Sequence, residues 1–253
     1  MGDDTVQDVN TDITQPARVD SRAREWIASP SPGVWRKPLY RTGGESGRAT
    51  SIVVYEPGSR FPSHAHPEGE EILVLSGVFS DETGDYPAGS YLLNPPGSRH
   101  APRTEDGCEL FVKLRQYAGS GRRQVCIQTR SGEWGPGCAP GVEVLPLYRQ
   151  HGFPEATALA RLAAGSDTGT RDFAGGLELL VLSGSVDAGE GACGEGTWVR
   201  RPAGARVRLR SAEGCRLYLC AGALAGSDSV DVLPEWPLTE DPGRPGRQDP
   251  GRG

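Results

Sequence analysis

The feature that most constrains the fold of this chain is an internal repeat. When the sequence is shifted by 107 residues, EILVLSG at 71–77 lies over ELLVLSG at 178–184. The match continues without a gap to residue 114, with 15 identities in 44 positions, and several of these are glycines at expected turns. Self-similarity at a fixed period indicates two copies of one structural unit.

Composition shows what kind of unit is repeated. The chain has 36 glycines and 21 prolines among 253 residues, which disfavours long helices and suits frequent turns. Between the turns lie short apolar runs such as Ser51–Tyr55 and Glu109–Leu114, which are typical of strands. We therefore predict an all-β fold in which each copy forms a barrel or jelly roll.

Charge and targeting signals limit the functional classes. The net charge is −6, so we expect no direct binding to nucleic acid. No apolar run is long enough to cross a membrane, and the start of the chain is acidic where a secretory signal is basic. The six cysteines contain no CxxC pair, as expected for reduced thiols. These features predict a cytoplasmic protein.

The repeat and the composition of its flanks suggest domain boundaries. Both ends of the chain are polar, and a Gly-rich stretch interrupts the repeated pattern near its middle. We predict five segments: a flexible N-terminal arm (1–24), a first β domain (25–117), a linker (118–141), a second β domain (142–238) and a disordered tail (239–253).

Three of the four histidines of the chain lie in one pattern in the first copy. His64, His66 and Glu70 are spaced as H-x-H-x3-E, and His100 ends a second pattern, G-x5-P-x-G-x2-H. Histidines two residues apart on a strand leave the same face, and a turn after them can return a carboxylate to that face. Three imidazoles and one carboxylate suit a transition metal such as Fe, Zn, Mn, Ni or Cu.

The second copy lacks this set of side chains. Its equivalent positions hold Arg171, Phe173, Leu177 and Val207. By contrast, Glu71 is kept as Glu178. We therefore expect one metal ion per chain, a second copy that is metal-free, and Glu70 as the ligand. Glu71 is then expected either beside the site or on the surface.

These two motifs resemble the signature motifs of the cupin superfamily, except that Thr104 stands where the second motif usually has Asn. The stretch 59–102 is more narrowly similar to the cupin domain of ChrR-type anti-sigma factors and their stand-alone relatives. The resemblance implies two tandem double-stranded β-helix domains. It also implies His64, His66, Glu70 and His100 as ligands of one divalent metal, Fe(II) or Zn(II), with Mn(II) and Ni(II) as alternatives.

The resemblance leaves three functions open. Some stand-alone relatives are oxygenases that cleave carbon–carbon bonds in small dicarbonyl or hydroxyketone compounds, and a similar enzyme acting on a small molecule is the first prediction. A ChrR-like zinc-binding sensor is the second, and a purely structural metal is the third. Anti-sigma members carry a helical N-terminal domain that is missing from the polar residues before the first motif, so sigma-factor binding is not expected. A monomer or a homodimer is expected.

Overall fold

The computed structural model of the protein describes residues 7–224, and these are almost entirely strand and turn. This stretch contains twenty strands and three single-turn 3₁₀ helices (Ser21–Ala23, Gly44–Ser46 and Thr129–Ser131) but no α-helix, which confirms the predicted all-β class. Among the same residues, no helix is long and apolar enough to cross a membrane.

The strands form two similar sets, one for each copy of the repeat. The first ten are β1 Ala17–Asp20, β2 Ile27–Ala28, β3 Val34–Arg41, β4 Ala49–Tyr55, β5 His64–Ala65, β6 Glu70–Ser80, β7 Asp85–Pro87, β8 Ser90–Asn94, β9 Arg99–His100 and β10 Cys108–Leu114. The second ten are β11 Val125–Gln128, β12 Gly135–Pro136, β13 Val142–Arg149, β14 Ala156–Leu162, β15 Ser166–Phe173, β16 Leu177–Asp187, β17 Ala192–Gly194, β18 Thr197–Arg201, β19 Ala205–Ser211 and β20 Cys215–Ala221.

Each copy is built on a large antiparallel sheet with the same strand order. In the first copy the order is β11-β8-β6-β10-β4-β3-β2, and in the second it is β1-β18-β16-β20-β14-β13-β12. The opposing layer contains the short pair β5–β9 in the first copy and the longer pair β15–β19 in the second. The predicted pair of double-stranded β-helix domains is confirmed.

The N-terminal strands of the two copies are exchanged. Strand β1 pairs with β18 in the second sheet, and β11 pairs with β8 in the first sheet. The structure therefore differs from the predicted boundaries: residues 17–20, expected in a loose arm, form a strand, and the expected linker 118–141 contains β11 and β12. Each segment is ordered because it completes the sheet of the other copy. The predicted tail, 239–253, lies outside the described residues.

Apolar side chains fill three regions. One cluster fills the interior of each copy, and a third lies between the two copies. The third cluster contains large aromatic side chains that are essentially inaccessible to solvent, which ties the copies into one packed unit. Its most buried members are Leu39, Tyr91, Leu93, Tyr117, Trp198, Tyr218 and Cys220.

One pair of motif glycines is explained by a close approach of the backbone. Gly77 and Gly184 have φ angles of +71° and +73°, a region that favours glycine. A Cβ atom would lie 2.0 Å from the Gly107 carbonyl oxygen in the first copy and 2.2 Å from that of Gly214 in the second. The glycine that ends the repeated EILVLSG and ELLVLSG segments is thus required because the residue just before β10 in the first copy, and just before β20 in the second, comes too close for a side chain.

Candidate metal centre

Three short elements bring the four candidate ligands together. Strands β5 and β9 pair so that His64 lies opposite His100. His66 follows β5, and the turn at residues 67–69 leads into β6, whose first residue is Glu70. The predicted return of the carboxylate to the face that carries the histidines therefore matches the backbone path.

The ligand atoms of these four residues lie within 4.8 Å of one another. The Oε2 atom of Glu70 is 3.3 Å from Nε2 of His66 and 3.3 Å from Nε2 of His100. The Nε2 atoms of His66 and His100 are buried and have no hydrogen-bond partner among residues 7–224. Buried nitrogens that lack partners are costly unless something else satisfies them, and a metal ion at their common centre would do so. The residues therefore fit one divalent metal.

The Nδ1 atoms of the histidines point away from this centre toward oxygen atoms. His64 Nδ1 lies 3.0 Å from the Pro62 carbonyl oxygen, and His66 Nδ1 lies 2.9 Å from the Ser98 hydroxyl. His100 Nδ1 lies 3.4 Å from Asp81 Oδ2, an electrostatic contact without hydrogen-bond geometry. Such contacts fix the ring orientation and leave Nε2 free to bind a metal.

Further hydrogen bonds hold the carboxylates of Glu70 and Asp81 in place. Asn94, opposite Glu70 in β8, donates from Nδ2 to Glu70 Oε2 at 3.1 Å. Asp81 accepts hydrogen bonds from the Thr83 backbone at 2.7 Å and the Thr83 hydroxyl at 2.6 Å. Burial acts to raise the pKa of Asp81, but the hydrogen bonds from Thr83 outweigh it and the pKa is lowered. Asp81 therefore stays ionised beside His100.

Burial shifts the pKa values of the candidate ligands in opposite directions. It raises the pKa of Glu70 to about 7, an effect only partly offset by the hydrogen bond from Asn94. Burial, together with the neighbouring His100 and His64, lowers the pKa of His66 to about 3. The pKa of His100 is also lowered, again mainly by burial. His66 and His100 are thus neutral and able to bind a metal near neutral pH, whereas Glu70 must first lose a proton.

This predicts a pH dependence set by Glu70. A metal binds the carboxylate and competes with its proton, so well above pH 7, where Glu70 is already ionised, its titration should no longer change the affinity. As pH falls below about 7, the affinity should fall by up to about tenfold per unit. Competition titrations with a metal-binding dye across this range measure it. In the Glu70→Gln variant this fall in affinity below pH 7 should disappear. If the fall persisted, the pH dependence would belong to another group.

The neighbouring glutamate serves a different structure. Glu71 lies on the other face of β6 and is buried, so the surface position left open by the sequence is excluded. Its carboxylate accepts hydrogen bonds from Tyr91 at 2.6 Å, from Tyr218 at 2.6 Å and from Tyr117. Tyr218 belongs to the second copy, so Glu71 joins the two copies. Its counterpart Glu178 receives the Lys113 ammonium across the same boundary.

The two glutamates can be separated by matched substitutions. Glu70→Gln should weaken metal binding by more than about 100-fold, because a charged ligand is lost. Glu71→Gln should keep metal affinity within about tenfold but lower the free energy of unfolding by about 2 kcal/mol, since its amide cannot accept all three hydroxyl bonds. Metal analysis and urea unfolding measure the two effects, with Glu68→Gln in the preceding turn as control. Equal metal loss in both variants would contradict the assignment.

The equivalent region of the second copy is packed. Phe173, Leu177 and Val207 occupy three of the four positions and belong to the apolar core of that copy. The fourth position, Arg171, donates to the carbonyl oxygens of Thr168 at 3.0 Å and Cys138 at 2.6 Å. Apolar side chains therefore fill the volume that the histidines and the glutamate occupy in the first copy.

A cavity of about 300 Å³ adjoins the candidate ligands. His64, His66 and Glu70 form part of its wall. Most of the remaining wall is apolar, and this is where a small organic molecule would meet the ligand cluster. The apolar lining includes Val34, Val53, Tyr55, Phe61, Ile72, Phe79, Leu110, Val112 and Leu114.

Several residues that shape the site were not found from the sequence. Ser98, Asp81 and Asn94 have ordinary surface-type side chains, and nothing in their spacing marks them. Thr104, which replaces the usual Asn, is buried, and its hydroxyl donates to the Val78 carbonyl at 2.7 Å and accepts from the Gly107 backbone at 3.0 Å. It closes a turn and takes no part in the ligand cluster. The fourth histidine, His151, lies exposed in a turn.

Comparison with solved structures places the fold among cupin-type proteins. A candidate dioxygenase from Nostoc punctiforme is 17% identical, with a TM-score of 0.69, over 87% of this chain and 85% of its own. Oxalate decarboxylase from Bacillus subtilis, described with Mn(II) centres, is 12% identical, with a TM-score of 0.59, over 83% and 78%. The Escherichia coli pirin YhhW, solved with nickel(II), is 13% identical, with a TM-score of 0.63, over 82% and 98%. At these identities the likeness shows the fold alone. No curated protein matches the sequence.

The family comparison is more specific and agrees with the repeat. The model described as the ChrR Cupin-like domain matches twice, over residues 14–118 and 122–225. Both matches begin before the boundaries expected from the sequence and include the exchanged strands β1 and β11. The chain is therefore a two-domain member of the ChrR cupin-like family.

Proposed function

We propose that this protein is a metal-dependent oxygenase that cleaves a carbon–carbon bond in a small dicarbonyl or hydroxyketone compound. The observation that carries the proposal is the cavity that reaches three of the four candidate ligands. A metal that only braces a fold needs no such space beside it, whereas a catalytic metal needs an open position.

His64, His66, Glu70 and His100 would hold one Fe(II) ion in the first copy. When bound, such an ion supplies Lewis acidity and a template for an oxygen-bearing substrate and dioxygen. In the net reaction the substrate's carbon–carbon bond breaks, and both atoms of one dioxygen end in the two fragments, so no separate reductant is consumed. Support from known proteins is limited to the fold of the candidate dioxygenase from Nostoc punctiforme.

The protein's own side chains would prepare this reaction by position and exclusion. Ser98 and the Pro62 carbonyl oxygen keep the His66 and His64 rings turned toward the centre. The apolar wall formed by Ile72, Phe79 and their neighbours limits water around the substrate.

Oxygen uptake tests the proposal. Fe(II)-loaded protein should consume oxygen in proportion to the loss of acetylacetone or another member of a panel of diketones and hydroxyketones, while Zn(II)-loaded protein should not. The His66→Ala variant, treated with Fe(II) in the same way, is the matched control for free iron. X-ray absorption showing four-coordinate zinc without an exchangeable position would contradict the proposal.

The family match favours one second candidate, a regulatory module that binds a metal and a small ligand without turnover. The same experiments distinguish the two candidates. Binding of a panel compound to the metal-loaded protein without oxygen uptake would favour the regulatory module.

A further inference from the structure

The cavity beside the candidate ligands carries an excess of positive charge. Arg36, Arg41 and Arg115 line it, and the acidic side chains in its wall are Glu45 and Glu70. A divalent metal at the candidate ligands would add two further positive charges inside the same space. A neutral substrate makes no use of such an arrangement, whereas an anion is attracted to it.

Arg41, at the end of β3, is buried with about 1% of its surface exposed. Its Nη2 atom lies 3.1 Å from Glu45, but its Nε atom is buried and has no hydrogen-bond partner in the part of the chain that the structure describes. Glu45 also accepts two hydrogen bonds from Arg36, at 2.9 and 2.8 Å, so one carboxylate is shared by two guanidinium groups. A buried guanidinium that is only partly paired favours a further anionic partner.

Arg115 follows β10 directly and has a φ angle of +57°, a region that non-glycine residues seldom adopt. Its backbone N–H donates to the Gly69 carbonyl at 2.9 Å, which places it next to the turn that leads into Glu70. Within residues 7–224 its guanidinium has no carboxylate partner. Its charge is therefore free to meet a molecule in the cavity.

The second copy shows that the backbone at this position does not need arginine. The equivalent residue is Gly222, whose φ angle is +84° and whose N–H donates to Gly176 at 3.1 Å. The copy whose equivalent interior is packed uses the residue best suited to this conformation, and glycine is also required there because a Cβ at Gly222 would lie 2.0 Å from the Pro154 carbonyl oxygen. The copy with the cavity carries a strained arginine instead, which indicates that the side chain has a use there.

We propose that the cavity takes a small carboxylate-bearing substrate whose carboxylate is bound by Arg115 and Arg41, with its carbonyl oxygens toward the candidate ligands. The proposal rests on the proposed function and narrows its substrate class to short oxo acids. Guanidinium groups suit carboxylates because they donate two parallel hydrogen bonds. A volume of about 300 Å³ corresponds to about ten water molecules, which limits the ligand to a short chain.

The test measures binding without turnover. The full chain, loaded with Co(II) and kept free of oxygen, is titrated with acetylpyruvate, its uncharged methyl ester and acetylacetone, and the visible Co(II) bands report ligand entry. Acetylpyruvate should bind at least about tenfold more tightly than the ester, as expected for charge-assisted hydrogen bonds. Inorganic phosphate should compete poorly; competition equal to that of acetylpyruvate would overturn the proposal in favour of general anion binding.

Two variants of Arg115 and one control variant connect this preference to Arg115. Arg115→Gly, which copies the second repeat, should abolish the preference for acetylpyruvate, change ester binding by less than about twofold and leave the melting temperature no lower. Arg115→Lys should retain part of the preference and guards against any effect of glycine on the loop. The control is Arg149→Gln, which changes an exposed arginine at the end of the PLYR segment 146–149, matching PLYR at 38–41, and should have no effect. A preference that survives in Arg115→Gly would overturn the proposal.

This outcome is separable from that of the proposed function. Oxygen uptake with acetylacetone and equal binding of acid and ester would support the oxygenase and overturn carboxylate recognition. Arginine-dependent binding of acetylpyruvate without oxygen uptake on any panel compound would support carboxylate recognition and overturn the oxygenase.

Discussion

Replacing His66 with alanine should abolish stoichiometric metal binding. The His66 Nε2 atom is buried, lies 3.3 Å from the Glu70 carboxylate and has no hydrogen-bond partner among the described residues. Losing one of the four candidate ligands should reduce affinity by more than about 1000-fold, since even partners outside the ligand set typically contribute 10–100-fold. Elemental analysis of protein purified without added metal should give about one ion per chain for the wild type and less than about a tenth for the variant.

Thermal unfolding gives an independent measure of the same change. A metal that binds only the folded chain stabilises it by about 4 kcal/mol at 1,000 times its dissociation constant. Added metal should therefore raise the melting temperature of the wild type but not that of His66→Ala. The control is His151→Ala, which removes the exposed histidine and should keep both the ion and the shift. Full metal content in His66→Ala would show that the cluster is not the site.

Three of the four candidate ligands were accessible from the sequence because they lie close together in the chain. Side chains two residues apart in an extended segment leave the same face, which predicted that His64 and His66 lie together, and Glu70 follows through a short turn. His100 is brought to them by the pairing of β9 with β5. The choice of Glu70 rather than Glu71 as the candidate ligand also followed from the sequence, because the second copy keeps only Glu71, as Glu178. What Glu71 does instead was out of reach, since its partner Tyr218 is distant in the chain and meets it only when the copies pack together.

The exchange of strands was missed for a different reason. Pro38–Arg41 and Pro146–Arg149 both read PLYR, and the pairs at 25–26 and 133–134 both read EW. These matches need a shift of 108 residues rather than 107, so a comparison without gaps does not detect them. Even the correct alignment would not show which sheet each first strand joins, because pairing partners depend on the packing of both copies.

The arginines of the cavity illustrate a second limit of sequence reasoning. Arg36, Arg41 and Arg115 are dispersed among 27 basic residues, and no spacing distinguishes them. Only the fold places the end of β3 and the end of β10 on one cavity. The comparison of Arg115 with Gly222 then becomes informative, because the two positions share a backbone conformation and differ in what surrounds them.

Deleting residues 1–24 should destabilise the protein strongly, although the segment lies far from the candidate metal ligands in sequence. Strand β1 forms four residue pairs with β18, Val19 is buried between the copies, and Arg18 donates to the carbonyl oxygens of Glu190 and Ala192 at 2.8 and 2.6 Å. Val9 also exchanges two backbone hydrogen bonds with Arg41, so the segment joins both copies.

Loss of the apolar contacts and hydrogen bonds made by this segment should lower the free energy of unfolding by about 5 kcal/mol. For a chain of this size, that corresponds to a melting temperature lower by roughly 10–20 °C. Val19→Asp should reproduce much of the loss, because it places a carboxylate in the apolar cluster between the copies. Arg24→Gln, at an exposed position in the same segment, is the control. An unchanged melting temperature after the deletion would mean that the exchanged strand contributes nothing and that the loose arm expected from the sequence is the better description.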